Sequence, residues 1–238
     1  GAPSLNNATT ALLAYGGLTW DDVEMVEVGG YNASIDAVIN DRADVAGGAC
    51  NSPPFMRLDS SPRGLYWVEF PPENAEGVQN VRARLPWYVP HVATEGPAID
   101  VQEGIEVFTS AYPLLVAMED LDPDMVYGIA KVIAVHYDDY KASAPGANGW
   151  RINGQQLENA FIPYHEGAIR YFKEIGIWTD EAEAKQQENL FRQQVLMDAW
   201  HEYLPGAPED RASFEAGWLA HREQALAARG LITLSDTQ

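Results

Sequence analysis

Between residues 23 and 51 the hydrophobic period of the chain switches back and forth, and this constrains the fold more than any other feature of the sequence. Val23, Met25, Val26 and Val28 form a short apolar-rich run that predicts a strand after the Asp21-Asp22 turn, ended by Gly29-Gly30. A helix is expected from about Asn32, with Ile35, Val38 and Ile39 on its inward face. Residues 41–51 then read as a turn and a strand of small residues that ends in polar groups. Strand, helix and strand in succession mark a mostly parallel sheet with helical crossovers, hence an α/β fold.

Upstream, residues 1–7 are a cluster of turn and helix-capping types, and residues 8–15 continue as a helix closed by Gly16-Gly17. A buried strand normally precedes such a loop in α/β proteins, so a fragment or processed form is expected. Downstream, residues 65–70 predict a strand stopped by Pro71-Pro72, residues 74–104 short elements and loops, and residues 112–118 a buried strand. Asp122 is placed to cap a helix with Pro123 in its first turn and a core stripe of Val126, Ile129, Ala130, Ile133, Tyr137 and Tyr140.

After a Pro/Gly loop over residues 143–150, Pro163 can begin a short helix and Gly176 can take the left-handed turn that ends it. Thr179 predicts the cap of a long helix with Phe191, Val195, Ala199 and Tyr203 on one face, beside Leu196, Trp200 and Leu204. Residues 205–208 break it, and a last helix carries Phe214, Trp218 and Leu226.

Charge and cysteine usage remove several classes of function. A net charge of -20, from 35 acidic against 15 basic residues, opposes binding to phosphate backbones, so nucleic acid is not an expected partner. The apolar run at residues 114–117 is far short of the ~20 residues that a membrane span needs, and no membrane insertion is expected. Cys50 is the single cysteine, which excludes an intrachain disulfide and a cysteine metal cluster.

His165-Glu166 invites comparison with the zinc-protease pattern, in which a second histidine follows at helical spacing. Ile169 occupies that position, so no metal is expected, and His165 and Glu166 read as structural. A hydrolase built on Asp, Glu and His residues such as His91, His136 and His165 is the rival class, but no nucleophile elbow, metal spacing or glycine-rich nucleotide fingerprint accompanies them. Cys50 follows small residues and reads as inert rather than nucleophilic. A third reading makes the C-terminal helices an interaction module, which would require an exposed apolar patch.

The run Pro163-Tyr164-His165-Glu166-Gly167-Ala168, with Arg170-Tyr171, Lys173-Glu174-Ile175-Gly176 and Trp178, resembles the signature of TAXI-family solute-binding proteins, the extracytoplasmic receptors of TRAP transporters. The opening segment is similar to that family's Gly-x-Pro-x-Ser loop and following helix, and Asp44-Val45-Ala46, Asp124-Met125-Val126-Tyr127 and Lys131 extend the likeness. Glu166 departs from it, standing where many members carry Pro, and residues 179–238 resemble a longer-tailed subset.

The resemblance implies a type II periplasmic-binding-protein fold: two lobes with mixed sheets flanked by helices, closing on a ligand, plus a C-terminal helical extension. Residues 1–104 would form the second lobe, residues 105–178 the returning part of the first and residues 179–238 the C-terminal helices, with the beginning of the first lobe absent. It further implies a periplasmic receptor that captures a small organic anion or amino acid, such as a glutamate- or glutamine-like carboxylate. The receptor would hand the ligand to TRAP membrane subunits, using no cofactor and performing no chemistry.

The residues most suited to hold a carboxylate are Ser4, Asn6 and Asn7, read as a loop at a helix N-terminus, and Gly48, Cys50 and Asn51 at the end of the small-residue strand. Ser and Asn donate hydrogen bonds without adding charge, and first-turn N–H groups favour an anion. Each of these residues would equally serve as an ordinary helix cap or turn.

Overall fold

Helix-forming segments dominate the computed structural model, which describes residues 3–111, 114–144 and 146–233; the chain is mostly helical with one two-stranded sheet. It divides into two compact units, Gly1–Ser110 with Asp138–Trp150, and Ala111–Tyr137 with Arg151–Gln238. The first unit contains α1 (Pro3–Tyr15), α2 (Tyr31–Ile39), α3 (Pro53–Asp59), α4 (Ala75–Arg84), β1 (Val89–Ala93) and β2 (Ile105–Thr109). The short α6 (Tyr137–Tyr140) lies at the change of unit, and the second unit carries α5 (Pro123–Val135), α7 (Glu166–Glu174), α8 (Asp180–Tyr203) and α9 (Arg211–Ala227).

Two apolar clusters organise the first unit. Ile35 and Val38, one turn apart on α2, meet Phe55 and Leu58 of α3, and Trp67 lies against Phe55 with ring centroids 4.7 Å apart. Ala11 of α1, Val81 of α4 and Leu85 form the other, bordered by Tyr15, Trp87, Tyr88 and Phe108. Tyr15 spans its edge, its hydroxyl donating to the Pro71 carbonyl at 2.6 Å.

The expected parallel sheet is not present among the described residues. β1 and β2 pair antiparallel, with Val89 opposite Thr109 and Ala93 opposite Ile105. Residues 23–28, 44–49, 65–70 and 114–118 belong to no strand, while Tyr112 and Pro113 of the predicted 112–118 strand lie outside the described residues. Phe70 N–H does reach the Glu106 carbonyl at 2.7 Å on β2, and the Glu69 carboxylate accepts from Glu106 N–H. Alternation fits a segment to a pleated surface, but a strand exists only where a neighbour exchanges its backbone hydrogen bonds. Met25, Tyr66 and Val116 are accordingly exposed.

In the second unit α5 begins as its sequence dictates, with the Asp122 carboxylate accepting from Asp124 N–H at 2.8 Å and Pro123 in the first turn. Of its stripe only Val126 is buried; Ile129 is exposed, against the expectation of a wholly internal face. α7 packs on α5 through Gly167, where a Cβ would press on the Pro123 carbonyl and sit 2.9 Å from Tyr127 N. The α7 helix starts at Glu166, later than the predicted Pro163, because the His165 side chain caps it while Tyr164 is engaged elsewhere. Gly176, at φ +74, follows the helix as expected.

What engages Tyr164 is Gln186 of α8. Its amide accepts from Tyr164 N–H at 2.8 Å and donates to Tyr164 C=O at 2.9 Å, so one side chain supplies both bonds that a neighbouring strand would have made. One turn on, Asn189 donates to the Ala160 and Ile162 carbonyls at 3.0 and 3.2 Å. α8 starts at its predicted cap, Thr179, and buries Val195 and Ala199 as expected, but Phe191 and Leu204 are exposed. α9 packs along α8, with Trp218 and Trp200 edge to face at 4.8 Å.

Because Gln186 is only 5% exposed, removing its amide leaves two backbone groups of Tyr164 without partners. Gln186→Ala is expected to cost about 2–4 kcal/mol, read as a lowered urea midpoint by circular dichroism. A loss below about 0.5 kcal/mol would mean that water takes over both bonds.

Candidate functional site

Gly30 opens α2 but brings no side chain to cap it, and Ser34 N–H, bonded to the Gly30 carbonyl at 3.0 Å, starts the helical ladder. The first-turn N–H groups of α2 are therefore available to an outside acceptor, and the positive end of the helix dipole lies with them. Tyr31, the first residue of α2, reaches across to the segment before α3, where its hydroxyl pairs with Ser52 Oγ at 2.5 Å. Ser52 is the N-cap residue of α3, yet its side chain makes no capping bond because it is held by Tyr31.

Close approach at Gly48 makes this crossing possible. A Cβ there would lie 2.5 Å from the Tyr31 Cε2 and hydroxyl and 2.8 Å from the Phe55 ring, so only glycine lets the Tyr31 ring lie against this backbone. On the other side of the segment, Gly47 faces α1, with Thr9 Oγ1 3.6 Å from where its Cβ would stand. Cys50 and Asn51 complete the turn: Gly96 packs on the Cys50 carbonyl, and the Asn51 amide lies beside Gly146.

Of the residues picked from sequence, Gly48, Cys50 and Asn51 lie together on this segment, which is an irregular turn and not a strand end. Ser4, Asn6 and Asn7 are exposed in the first turns of α1 and form no loop, because Pro3, with no N–H to lose, starts the helix ahead of them. Asn6 stands one turn before Thr9, the α1 residue that borders Gly47. Sequence reasoning missed Tyr31, Ser52 and Thr9. The signal for the first was Gly29-Gly30 directly before a helix, a start without a capping side chain.

Arg57 is bonded to Asp36 at 3.0 Å, and Arg63 is paired with Asp41 and with Asp44. Both arginines are thus engaged by carboxylates. Burial pushes the Cys50 thiol up from its ordinary value, only partly offset by a backbone hydrogen bond, so it is not an activated nucleophile.

The histidines of the rival reading stand on separate elements: His91 in β1, His136 at the end of α5 and His165 before α7. His165 Nδ1 accepts from Gly167 N–H at 3.1 Å, a helix cap. The exposed ionic groups between α5 and α7 are likewise satisfied, Lys131 donating to Tyr127 Oη at 2.9 Å and to Glu174 at 3.2 Å. Among the described residues no three His, Cys, Asp or Glu are placed to hold a metal ion, and no helix is long and apolar enough to cross a membrane.

The chain belongs to the NMT1-like family, which matches residues 2–176 and is part of the periplasmic solute-binding/NMT1/THI5 group. No curated protein and no solved structure matches it. The family match ends at Gly176, so α8 and α9 lie beyond it.

Gly48→Ala is expected to push the Tyr31 ring off the segment and break the Tyr31–Ser52 bond at a cost of about 1–3 kcal/mol, measurable as a lowered melting temperature. An unchanged melting temperature would show that the segment yields freely. The Cys50 thiol should react with iodoacetamide at pH 8 more slowly than a free cysteine, and labelling at the free rate would contradict its burial.

Proposed function

We propose that the protein is an extracytoplasmic solute receptor that binds a small carboxylate, an organic anion or a glutamate- or glutamine-like amino acid, at the N-terminus of α2. The observation that carries the reading is the uncapped first turn of α2, tied through Tyr31 and Ser52 to the segment bearing Gly48, Cys50 and Asn51. Backbone N–H groups at a helix start hold a carboxylate well, and Asn51 adds a neutral donor. Asn6 and Asn7 of α1, with Ser4, supply the donors of the second edge.

The TAXI-like signature around Pro163 and Gly167 supports delivery of the ligand to the membrane subunits of a TRAP transporter, in the periplasm. The same resemblance supports a type II binding-protein fold, with residues 1–104 as the second lobe and residues 105–178 as the returning part of the first. The protein turns nothing over in this reading, and nothing in the arrangement of His91, His136 and His165 favours hydrolysis.

A thermal-shift panel of amino acids and mono- and dicarboxylates tests the proposal, because a ligand at about 100 times its Kd adds about 2.7 kcal/mol to the native state. One carboxylate should raise the melting temperature, and Asn51→Ala and Asn7→Ala should each weaken its binding by about 1–3 kcal/mol with the fold intact. No shift with any member of the panel would reject the receptor reading, and unchanged affinity in both variants would move the site elsewhere.

A further inference from the structure

A groove lies between α8, which is beyond the part of the chain that the family matches, and residues 161–163, which are within it. Asn189, Arg192, Leu196 and Trp200 follow one another along one face of the helix and, with Ile162 and Pro163 opposite, line this groove of about 300 Å³. Its walls are apolar and its polar groups few, the usual make-up of a small-molecule site.

Asn189 and Arg192 are defined by the bonds they already make, and Gln193 is the third polar residue of the lining. The Asn189 side chain is buried, with the whole residue 4% exposed, and its Nδ2 donates to two carbonyls, which fixes the amide orientation. Its Oδ1 takes part in neither of these bonds and, unlike the sealed His165 Nε2, is not among the buried atoms left without a partner, so it stays open to an outside donor. Arg192 spends Nη1 on the Ile232 carbonyl at 2.6 Å and has no ion-pair partner among the described residues. Glu188, which acts favourably on it, is paired with Lys185 at 3.0 Å. Burial first, and Arg222 second, disfavour the charge on Arg192, as expected of a cation held partly out of water beside another.

A ligand that fits must bring an anion to Arg192, an N–H to Asn189 Oδ1 from the preceding turn of the same helix face, and an apolar group to Leu196 and Trp200. One small unit carries all three on a single carbon. We propose that this groove binds an N-acylated apolar amino acid, its carboxylate on Arg192, its amide N–H on Asn189 and its side chain against Leu196 and Trp200. A free amino acid fits poorly because its ammonium would lie beside the Arg192 cation, and a dicarboxylate would set its second charge on apolar walls.

Titration calorimetry of the full chain with N-acetyl-leucine, N-acetyl-leucinamide, N-acetyl-N-methyl-leucine and leucine tests the assignment, with Trp fluorescence as a second signal. N-acetyl-leucine should bind one to one, and each of the other three at least tenfold more weakly. Arg192→Gln and, as an independent variant that keeps the Ile232 contact, Leu196→Ala should each weaken binding at least fivefold, while Asn51→Ala leaves it unchanged. Absence of binding, equal affinity for the leucinamide, or indifference to both groove variants would overturn the proposal. Loss on Asn51→Ala alone would assign the ligand to the α2 site instead.

Discussion

Every backbone N–H and C=O that leaves water must find a partner, and in this protein that requirement is met largely without a sheet. The reciprocal amide of Gln186 on Tyr164 is the clearest case: a helix side chain stands in for a strand and pairs both polar groups of one residue. Asn189 does half as much for Ala160 and Ile162, donating to the carbonyl of each. With residues 160–164 held in this way, His165 is positioned to cap α7, and Gly167 can bring that helix against α5. The segment 163–178 thus has a structural reading residue by residue: cap, close contact, and the aromatic packing of Tyr164 on Phe172 and Trp178 at 5.7 and 5.6 Å.

The first unit solves a different problem, that of bringing three segments close enough for polar groups to converge. Small residues do this work. Gly47 borders Thr9 and Gly48 admits the Tyr31 ring, so hydroxyls from α1, α2 and the α3 cap are found along one short stretch of chain. The use of Ser52 as a partner for Tyr31, and not as a cap for α3, costs that helix a local bond of about 1 kcal/mol and fixes the approach of two elements. Stability given up locally for a defined arrangement of donors is what a binding site asks of its scaffold.

Helix starts were legible because capping is local: Asp122 and Thr179 bond to N–H groups two or three residues on, and their sequence neighbours announce it. The core faces of α2 and α8 were legible in the same way, through Ile35, Val38, Val195 and Ala199 at helical spacing. Gln186 and Asn189 were not, because a buried amide on a helix has the same sequence appearance as one on a solvated face. The candidate site was half legible. Gly48, Cys50 and Asn51 announced themselves as a polar end to a small-residue run, whereas Tyr31 and Ser52 became partners only through a contact 21 residues apart.

By itself, then, the sequence determined the class of composition and the helices whose caps are local, those begun at Asp122 and Thr179. Only the tertiary structure decided which extended segments become strands. Val23, Met25 and Val26 carry the pattern of a strand and enter none, while β1, with Pro90 and His91 in its middle, pairs with β2. The reason is physical: side-chain periodicity states which face of a segment could be buried, but a ladder needs a second backbone at hydrogen-bonding distance, and that is set by packing between residues distant in the chain.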